Sequence, residues 1–309
     1  MNKLEPKSFT GVIPAMITSF HKNETINKES IRKTINYLIS EKVDGLYITG
    51  STGETFLMSQ EEKKQVIEII VEEVNGRVPV IAHIGSIGTK ITTDLAQYAE
   101  KVGVDALSAL PPFYYGFSND EIFNYYQDIS NSTNLPITVY NISHAHLMDL
   151  DMLKRLASIK NVDGVKYTAP THFNFSKIKK EIGKNFKIYS GMDEMALSGL
   201  ISGADGIIGS FYNLMPELFV EIYKQVKNNN INEAKKIQEK INIIIIYALK
   251  KSGYPFIKMG LKWLGIDSGY VRKPFKSIVD TENENTIINE LKILTKENDL
   301  TGIKFLETL

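Results

Sequence analysis

Residues 136–168 read PITVYNISHAHLMDLDMLKRLASIKNVDGVKYT, and this stretch contains two short apolar runs, at residues 136–142 and 162–168. Nearly continuous apolar runs of this length are typical of parallel strands that are buried on both faces. Longer segments of helical period lie between such runs along most of the chain. The alternation indicates repeated units of one strand and one helix.

The same pattern occurs eight times. We predict strands at residues 11–18, 45–50, 79–85, 106–112, 136–142, 162–168, 186–191 and 205–210. Between the second and third strands, Ser59-Gln60-Glu61-Glu62 has the form of a capping box, which predicts that a helix begins there. Eight repeats predict an α/β fold, a closed (β/α)8 TIM barrel.

After residue 210 the strand pattern ends, and we predict helices at residues 217–227, 231–250 and 286–296. The run at residues 243–246 is β-branched and has strand propensity, but its place inside the segment 231–250 favours a buried helix. We therefore predict a catalytic barrel domain at residues 1–226 and a C-terminal helical extension at residues 227–309.

The composition excludes several functions. Lys plus Arg and Asp plus Glu number 36 each, so no broad positive field attracts nucleic acid or anionic lipid. The chain has no cysteine, which excludes disulfides and cysteine-ligated metals. Residues 1–20 lack the apolar core of a signal peptide, and no apolar run reaches the roughly 18 residues of a membrane span. We expect a cytoplasmic protein that binds neither nucleic acid nor a membrane.

Lys166 is the first candidate for chemistry. Period-two alternation in the sixth strand places Lys166 and Thr168 on one side and Val165 and Tyr167 on the other. Active sites of barrels lie at the C-terminal ends of the strands, so Lys166 is expected in the barrel mouth. Burial lowers the pKa of a lysine and makes its amine a nucleophile toward carbonyls. The alternative is a lysine that reaches solvent from the strand end.

Other strand ends also carry polar groups. Tyr140 closes the fifth strand and can relay protons to an imine, whereas a buried core tyrosine is the commoner case. The turn Gly50-Ser51-Thr52-Gly53-Glu54 can bind an anion through its backbone N–H groups, or it is a turn that needs glycine.

The sequence leaves the roles of two further motifs undecided. Pro112-Phe113-Tyr114-Tyr115 follows the fourth strand and fits an aromatic cap, an oligomer interface or a catalytic role. Asp193 and Glu194 follow the seventh strand and fit either binding of sugar hydroxyls or a helix start, which the local sequence favours.

The histidines give weak evidence for a metal. His144 and His146 lack a third well-placed ligand, so we interpret them as loop residues and expect no metal site. His83 lies inside the third strand and is interpreted as a core histidine.

Taken in order, the motifs resemble the family of N-acetylneuraminate lyase and dihydrodipicolinate synthase. The similarity runs from Gly11 to the segment Arg272-Lys273-Pro274-Phe275. Its markers are Gly50-Ser51-Thr52-Gly53-Glu54, Pro112-Phe113-Tyr114-Tyr115, Tyr140-Asn141, Gly164-Val165-Lys166 and Gly206-Ile207-Ile208-Gly209-Ser210. The resemblance implies a pyruvate-dependent class I aldolase on a (β/α)8 barrel, a homotetramer in most cases, without a metal or an organic cofactor.

The resemblance also implies roles for single residues. Lys166 forms the Schiff base, Tyr140 shuttles protons, and Ser51 with Thr52 holds the pyruvyl carboxylate. Tyr114 is lent by an adjacent subunit to the proton relay.

Within the family, the motifs are similar to the sialic acid branch. In the dipicolinate-forming branch an arginine lies five residues after the catalytic tyrosine, where this chain has Ala145. The lyases carry two elements for the polyhydroxyl tail, which match Gly191-Met192-Asp193-Glu194 and Gly209-Ser210-Phe211-Tyr212-Asn213. The chain departs from the lyases at Ser143, where they usually have proline.

This branch implies reversible cleavage of N-acetylneuraminate to N-acetylmannosamine and pyruvate. Thr168 is then near the C4 hydroxyl, and Gly191, Asp193, Glu194 and Ser210 bind the tail. The alternatives are an aldolase for 2-keto-3-deoxy sugar acids, dihydrodipicolinate synthase, and a non-catalytic barrel that binds keto acids. Binding alone requires neither Lys166 nor Tyr140, which argues against the last alternative.

Overall fold

The computed structural model describes residues 9–145, 147–279 and 283–309. Residues 1–8, which belong to the N-terminal segment considered above, and His146 lie outside these ranges. Within them the strands are Gly11–Pro14 (β1), Leu46–Ile48 (β2), Val80–His83 (β3), Ala106–Ala109 (β4), Ile137–Ile142 (β5), Val162–Thr168 (β6), Lys187–Ser190 (β7) and Gly206–Gly209 (β8).

The strands form one sheet in the order β1-β8-β7-β6-β5-β4-β3-β2, and every paired strand is parallel to its neighbour. The two ends of this order meet. The Met16 N–H donates to the Tyr47 carbonyl at 2.8 Å, and the Asp44 N–H donates to the Val12 carbonyl at 2.8 Å. These bonds join β1 to β2, and the predicted (β/α)8 barrel is confirmed.

Several strands are shorter than predicted because the apolar run continues beyond the ladder. The run 106–112 is a strand only at Ala106–Ala109, since Pro111 and Pro112 have no N–H to donate to a neighbouring strand. The run 11–18 leaves the regular ladder after Pro14. The residues beyond the ladder form the upper rim of the barrel.

Helices follow the strands and continue into a C-terminal extension. They are Lys28–Ser40 (α1), Gln60–Val74 (α2), Thr89–Val102 (α3), Asn119–Ser132 (α4), Leu150–Ala157 (α5), Phe173–Glu181 (α6), Ala196–Ile201 (α7), Pro216–Lys227 (α8), Ile231–Lys250 (α9), Tyr254–Trp263 (α10), Glu284–Asn298 (α11) and Lys304–Glu307 (α12). The predicted capping box is present, since the Ser59 hydroxyl accepts from the Glu62 N–H and the Glu62 carboxylate accepts from the Ser59 N–H. The run 243–246 is helical, as predicted, while α10 and α12 were not predicted.

Most buried apolar side chains of the described residues lie in three regions. Ile13, Ile81 and Ile208 pack inside the barrel, and a larger layer separates the strands from the helices around them. A further cluster joins β1 and β8 to the helices of the extension through Val12, Ile207 and side chains such as Phe256. The extension therefore packs directly on the barrel. No helix in the described ranges combines the length and apolar character needed to cross a bilayer.

Candidate active site

A cavity of about 440 Å³ opens at the C-terminal ends of the strands. Its lining residues are Ser51, Thr52, Phe56, Leu110, Phe113, Tyr140, Ile142, His144, Ala145, Lys166, Thr168, Gly191, Ile208, Gly209, Ser210 and Tyr254. A second cavity of about 410 Å³ adjoins it and is lined by Glu194 and by the extension residues Ile245, Leu249 and Phe275. Thr168, Gly191, Ser210 and Tyr254 line both cavities, so the two form one inner and one outer compartment.

Lys166 lies on β6 at the base of the inner cavity. The alternation predicted for this strand is confirmed, because Val165 and Tyr167 pack in the apolar layer toward the helices while Lys166 and Thr168 line the cavity. Burial lowers the pKa of Lys166 to about 7, and the charge of Asp193 opposes this shift. A substantial fraction of the amine is therefore neutral, and nucleophilic, near neutral pH.

Tyr140 is the register partner of Lys166 on the neighbouring strand β5. The Lys166 Nζ lies 4.2 Å from the centre of the Tyr140 ring. Burial raises the pKa of Tyr140 to about 12, so the phenol keeps its proton near neutral pH. The Thr168 hydroxyl lies near the Tyr140 hydroxyl but makes no hydrogen bond of normal geometry to any described residue. A buried hydroxyl without a partner is well placed to bind a ligand.

The turn after β2 contributes hydroxyls and N–H groups to the same cavity. Residues Ser51–Gly53 form a single 3-10 turn, and the first N–H groups of such a turn have no partner within it. The Thr52 and Ser210 hydroxyls are 2.7 Å apart, which joins the ends of β2 and β8. The N–H groups of Ser51 and Thr52 can therefore bind an anion beside Lys166.

Asp193 and Glu194 differ in their surroundings. Asp193 is buried, and its carboxylate accepts a 2.6 Å hydrogen bond from the Phe211 N–H instead of capping its own helix. The helix-start interpretation is nevertheless confirmed in position, since a 3-10 turn begins at Asp193 and leads directly into α7. Burial raises the pKa of this carboxyl to about 7. Glu194 is exposed and lines the outer cavity.

Gly191 permits a close approach between β6 and β7. A Cβ atom at this position would overlap the Thr168 hydroxyl and would lie 3.4 Å from the Lys166 Cε. Glycine at this position therefore leaves room for the Thr168 hydroxyl, while the Lys166 side chain would be in ordinary van der Waals contact with such a Cβ.

Tyr114 is not among the residues that line either cavity of the described chain. Its side chain is 87% exposed, and its backbone has φ of +83°, which is unusual for a residue other than glycine. The neighbouring Phe113 lines the inner cavity instead. A strained, exposed tyrosine at the cavity rim is free to contact another molecule.

His83 and His144 have different surroundings in the structure. His83 is fully buried, its Nδ1 is 3.2 Å from the Thr49 carbonyl oxygen, and burial lowers its pKa to about 3, so it is a neutral core residue. His144 lines the inner cavity, although the sequence suggested only a loop position. His146 lies outside the described residues.

Two residues that contact the site were missed. Tyr47 lies inside the barrel under Lys166, and the alternation of β2 was a signal that could have placed it there. Tyr254 begins α10 and contacts Thr52, which is 202 positions away in the sequence, and no local pattern points to that contact.

A (β/α)8 barrel that holds a buried amine of lowered pKa at the end of β6, beside a tyrosine, defines a Schiff-base aldolase. A model described as the dihydrodipicolinate synthetase family matches residues 8–294. The chain belongs to this family, whose members include pyruvate-dependent class I aldolases.

Known lyases are similar to the chain over nearly its whole length. N-acetylneuraminate lyase 2 of Escherichia coli O6:H1 is 38% identical over 295 residues, covering 94% of this chain and 96% of the relative. The structure of CdNal from Clostridium difficile in complex with mannosamine has a TM-score of 0.89 and 35% identity, covering 94% of this chain and 99% of the other. The N-acetylneuraminate lyase structure from Fusobacterium nucleatum has a TM-score of 0.86 and 37% identity, and the match covers 93% of this chain and 98% of the other.

Proposed function

We propose that this protein cleaves N-acetylneuraminate reversibly to N-acetylmannosamine and pyruvate through a Schiff base on Lys166. The observation that carries the proposal is the pairing of this buried amine with an outer compartment in which Asp193, Glu194 and Ser210 offer hydrogen bonds to a polyhydroxyl tail. The similar lyases and the neighbour solved with mannosamine support a sugar in that compartment.

The reaction begins at the ketone of the open-chain substrate. The neutral Lys166 amine attacks C2, water leaves, and an iminium ion forms. The iminium accepts the electron pair of the C3–C4 bond as the C4 hydroxyl loses its proton. N-acetylmannosamine departs, the resulting enamine is protonated at C3, and water releases pyruvate and the free amine.

Tyr140 takes part as a proton relay rather than as a fixed base. Because burial keeps its phenol protonated near neutral pH, it accepts the C4 proton while it passes its own proton to the substrate carboxylate. The unpartnered Thr168 hydroxyl binds the C4 hydroxyl and orients it toward this relay. Ser51 and Thr52 hold the carboxylate. Gly191 completes the tail site with Asp193, Glu194 and Ser210.

We further propose a homotetramer in which Tyr114 enters the relay of a neighbouring subunit. The support is its exposure, its strained backbone and its position at the cavity rim. A Tyr114→Phe variant that keeps its assembly should lose about tenfold or more in kcat, a modest share of what a proton relay contributes. Full activity of a monomer, measured by light scattering coupled to chromatography, would exclude a shared Tyr114.

Dihydrodipicolinate synthase is disfavoured by the lining of the cavities. Ala145 lies where that branch has an arginine, and no arginine is among the described residues that line either compartment. A second carboxylate would therefore find no guanidinium to pair with.

The test is pyruvate release by the purified protein from N-acetylneuraminate and from a 2-keto-3-deoxy sugar acid of six carbons. We expect cleavage of the first substrate at the higher kcat/KM. Borohydride reduction with pyruvate should add one pyruvyl unit, and peptide mass mapping should place it on Lys166. Faster cleavage of the shorter acid would refute the sialic acid assignment, and an adduct on another lysine would refute the Schiff-base assignment.

A further inference from the structure

We propose that Tyr47 is a catalytic residue that stabilises the positively charged Lys166 nitrogen through the face of its aromatic ring, an inference that rests on the Schiff base proposed above. The Lys166 Nζ lies over the Tyr47 ring at 4.3 Å from its centre and over the Tyr140 ring at 4.2 Å. The two rings are nearly perpendicular, at 80°, with centres 6.3 Å apart. The nitrogen that becomes the iminium therefore lies against two ring faces.

The position of Tyr47 is fixed by its surroundings. The side chain is fully buried inside the barrel, and its hydroxyl donates a 3.1 Å hydrogen bond to the Ser108 hydroxyl on β4. A Cβ atom on Gly50 would lie 2.6 Å from the ring, so glycine is needed there for the ring to reach this place. The ring thus has one orientation before substrate arrives.

The Tyr47 hydroxyl is poorly suited to acid–base chemistry. Burial raises its pKa far above the usual range, and its hydrogen bond is directed to Ser108, away from the cavity lining. The neutral ring remains as the contribution. A cation held over an aromatic face is attracted by the electrons of the ring, and this attraction is stronger where water is excluded.

The attraction matters because the reaction makes its positive charge at this nitrogen. The iminium is the electron sink for cleavage of the C3–C4 bond, and burial alone disfavours any cation there. Two ring faces offset part of that penalty, in the same direction as the charge of Asp193. In this arrangement Tyr140 relays protons and also stabilises the cation through its ring. Tyr47 only stabilises the cation.

Tyr47→Leu, Tyr47→Phe and Ser108→Ala separate the ring from its hydroxyl. The amount of pyruvate iminium is measured by borohydride trapping at subsaturating pyruvate, and the pH profile of trapping reports the pKa of Lys166. We expect the Leu variant to lose about tenfold in iminium, within the range of a buried cation–π contact. Its pKa for Lys166 should also fall. The Phe and Ala variants should stay within about threefold of the parent.

The pH profile is interpretable because the other groups around the amine stay the same in all variants. These groups are Asp193 after β7, Tyr140 on β5 and the neutral His83 on β3. A packing defect would lower the melting temperature without moving the pKa of Lys166, so thermal unfolding is recorded for each protein. If Tyr47→Leu does not fold, Tyr47→Met, which is flexible and also lacks a ring, replaces it.

Two results would overturn the inference. One is a folded Leu or Met variant with the parental iminium level and pH profile. The other is a Phe variant that loses as much as the Leu variant, which would assign the effect to the hydroxyl. Failure of the proposed function is distinguishable, because the parent protein would then trap no pyruvate on Lys166.

Discussion

The inner cavity has two walls of different origin. One is the strand wall, where Lys166 and Tyr140 lie side by side on β6 and β5 in direct register. The other is the helix wall, where Tyr254 of α10 reaches the Thr52 turn from the C-terminal extension. The strand wall carries the groups that are proposed to react, and the helix wall contacts the turn that is proposed to bind the substrate carboxylate.

The helix wall is anchored by a buried ion pair. Lys258 lies one helical turn after Tyr254, and its Nζ is 2.6 Å from the Glu54 carboxylate, with both side chains fully buried. The same amine donates to the Thr18 carbonyl oxygen at 2.8 Å. The second Glu54 oxygen accepts from the Arg272 N–H at 2.7 Å. The residues proposed to react therefore lie on the barrel, while residues of the extension hold Glu54 at the end of the Thr52 turn.

Loss of the strand-wall amine should have the largest effect. Lys166→Met should reduce kcat/KM by about 10⁴- to 10⁶-fold, the range seen when an enzyme loses a central catalytic group. Lys187→Met is the control, because this lysine lies at the opposite, N-terminal end of the adjacent strand β7 and should leave turnover nearly unchanged. Residual activity above about one hundredth of the parent, measured by pyruvate release, would break the assignment of chemistry to the strand wall.

Loss of the helix-wall ion pair should mainly affect stability. Lys258→Met leaves the Glu54 carboxylate buried without its cation, which should lower the free energy of unfolding by about 3–5 kcal/mol. The matched control is Lys90→Met, which breaks the exposed 2.8 Å pair with Asp94 and should cost less than about 1 kcal/mol. Combining Lys258→Met with Glu54→Gln should recover part of the loss. Urea unfolding measures the free energy of unfolding of the two single variants and the double variant. Equal losses for Lys258→Met and Lys90→Met would show that the extension does not anchor the turn.

The strand wall could largely be predicted from the sequence. Alternation along residues 162–168 placed Lys166 in the cavity because the period of a strand is set by its own backbone. The helix α9 was predicted with the observed bounds from its apolar period. These features depend on neighbours in the sequence, and their physical causes are local.

The helix wall could not be predicted in this way. Tyr254 and Lys258 reach partners 202 and 204 positions earlier in the chain, and no local periodicity records such a contact. The helix α10 follows Ser252-Gly253 and carries Pro255 in its first turn. The local sequence therefore predicts an interruption of helical structure at this place. The division of the chain after residue 226 stays a prediction, and the cluster that includes Val12 and Phe256 joins both sides of it.

Substrate preference should depend on the outer compartment, which both walls border. Glu194→Ala should lower kcat/KM for N-acetylneuraminate by roughly 10- to 100-fold, since lost hydrogen bonds leave substrate hydroxyls unpaired at ~1–3 kcal/mol. Imine trapping with pyruvate should stay nearly unchanged, because Glu194 lines only the outer compartment. Glu239→Ala, an exposed glutamate paired with Lys235, is the control. Equal loss of both activities would mean that Glu194 supports the fold rather than the sugar.

The smallest expected effect tests whether the helix wall reaches the substrate at all. Tyr254→Phe removes the hydroxyl that lies near the Thr52 side chain and keeps the ring against both compartments. One neutral hydrogen bond contributes about 0.5–1.5 kcal/mol, so the KM for N-acetylneuraminate should rise about two- to tenfold. The kcat should change little, because the carboxylate is held equally in the ground state and the transition state. Tyr247→Phe makes the same change on α9, where the hydroxyl donates to Glu290 at 2.6 Å outside both cavities. If steady-state kinetics give the two variants the same KM, the Tyr254 hydroxyl has no part in binding and α10 acts through packing alone.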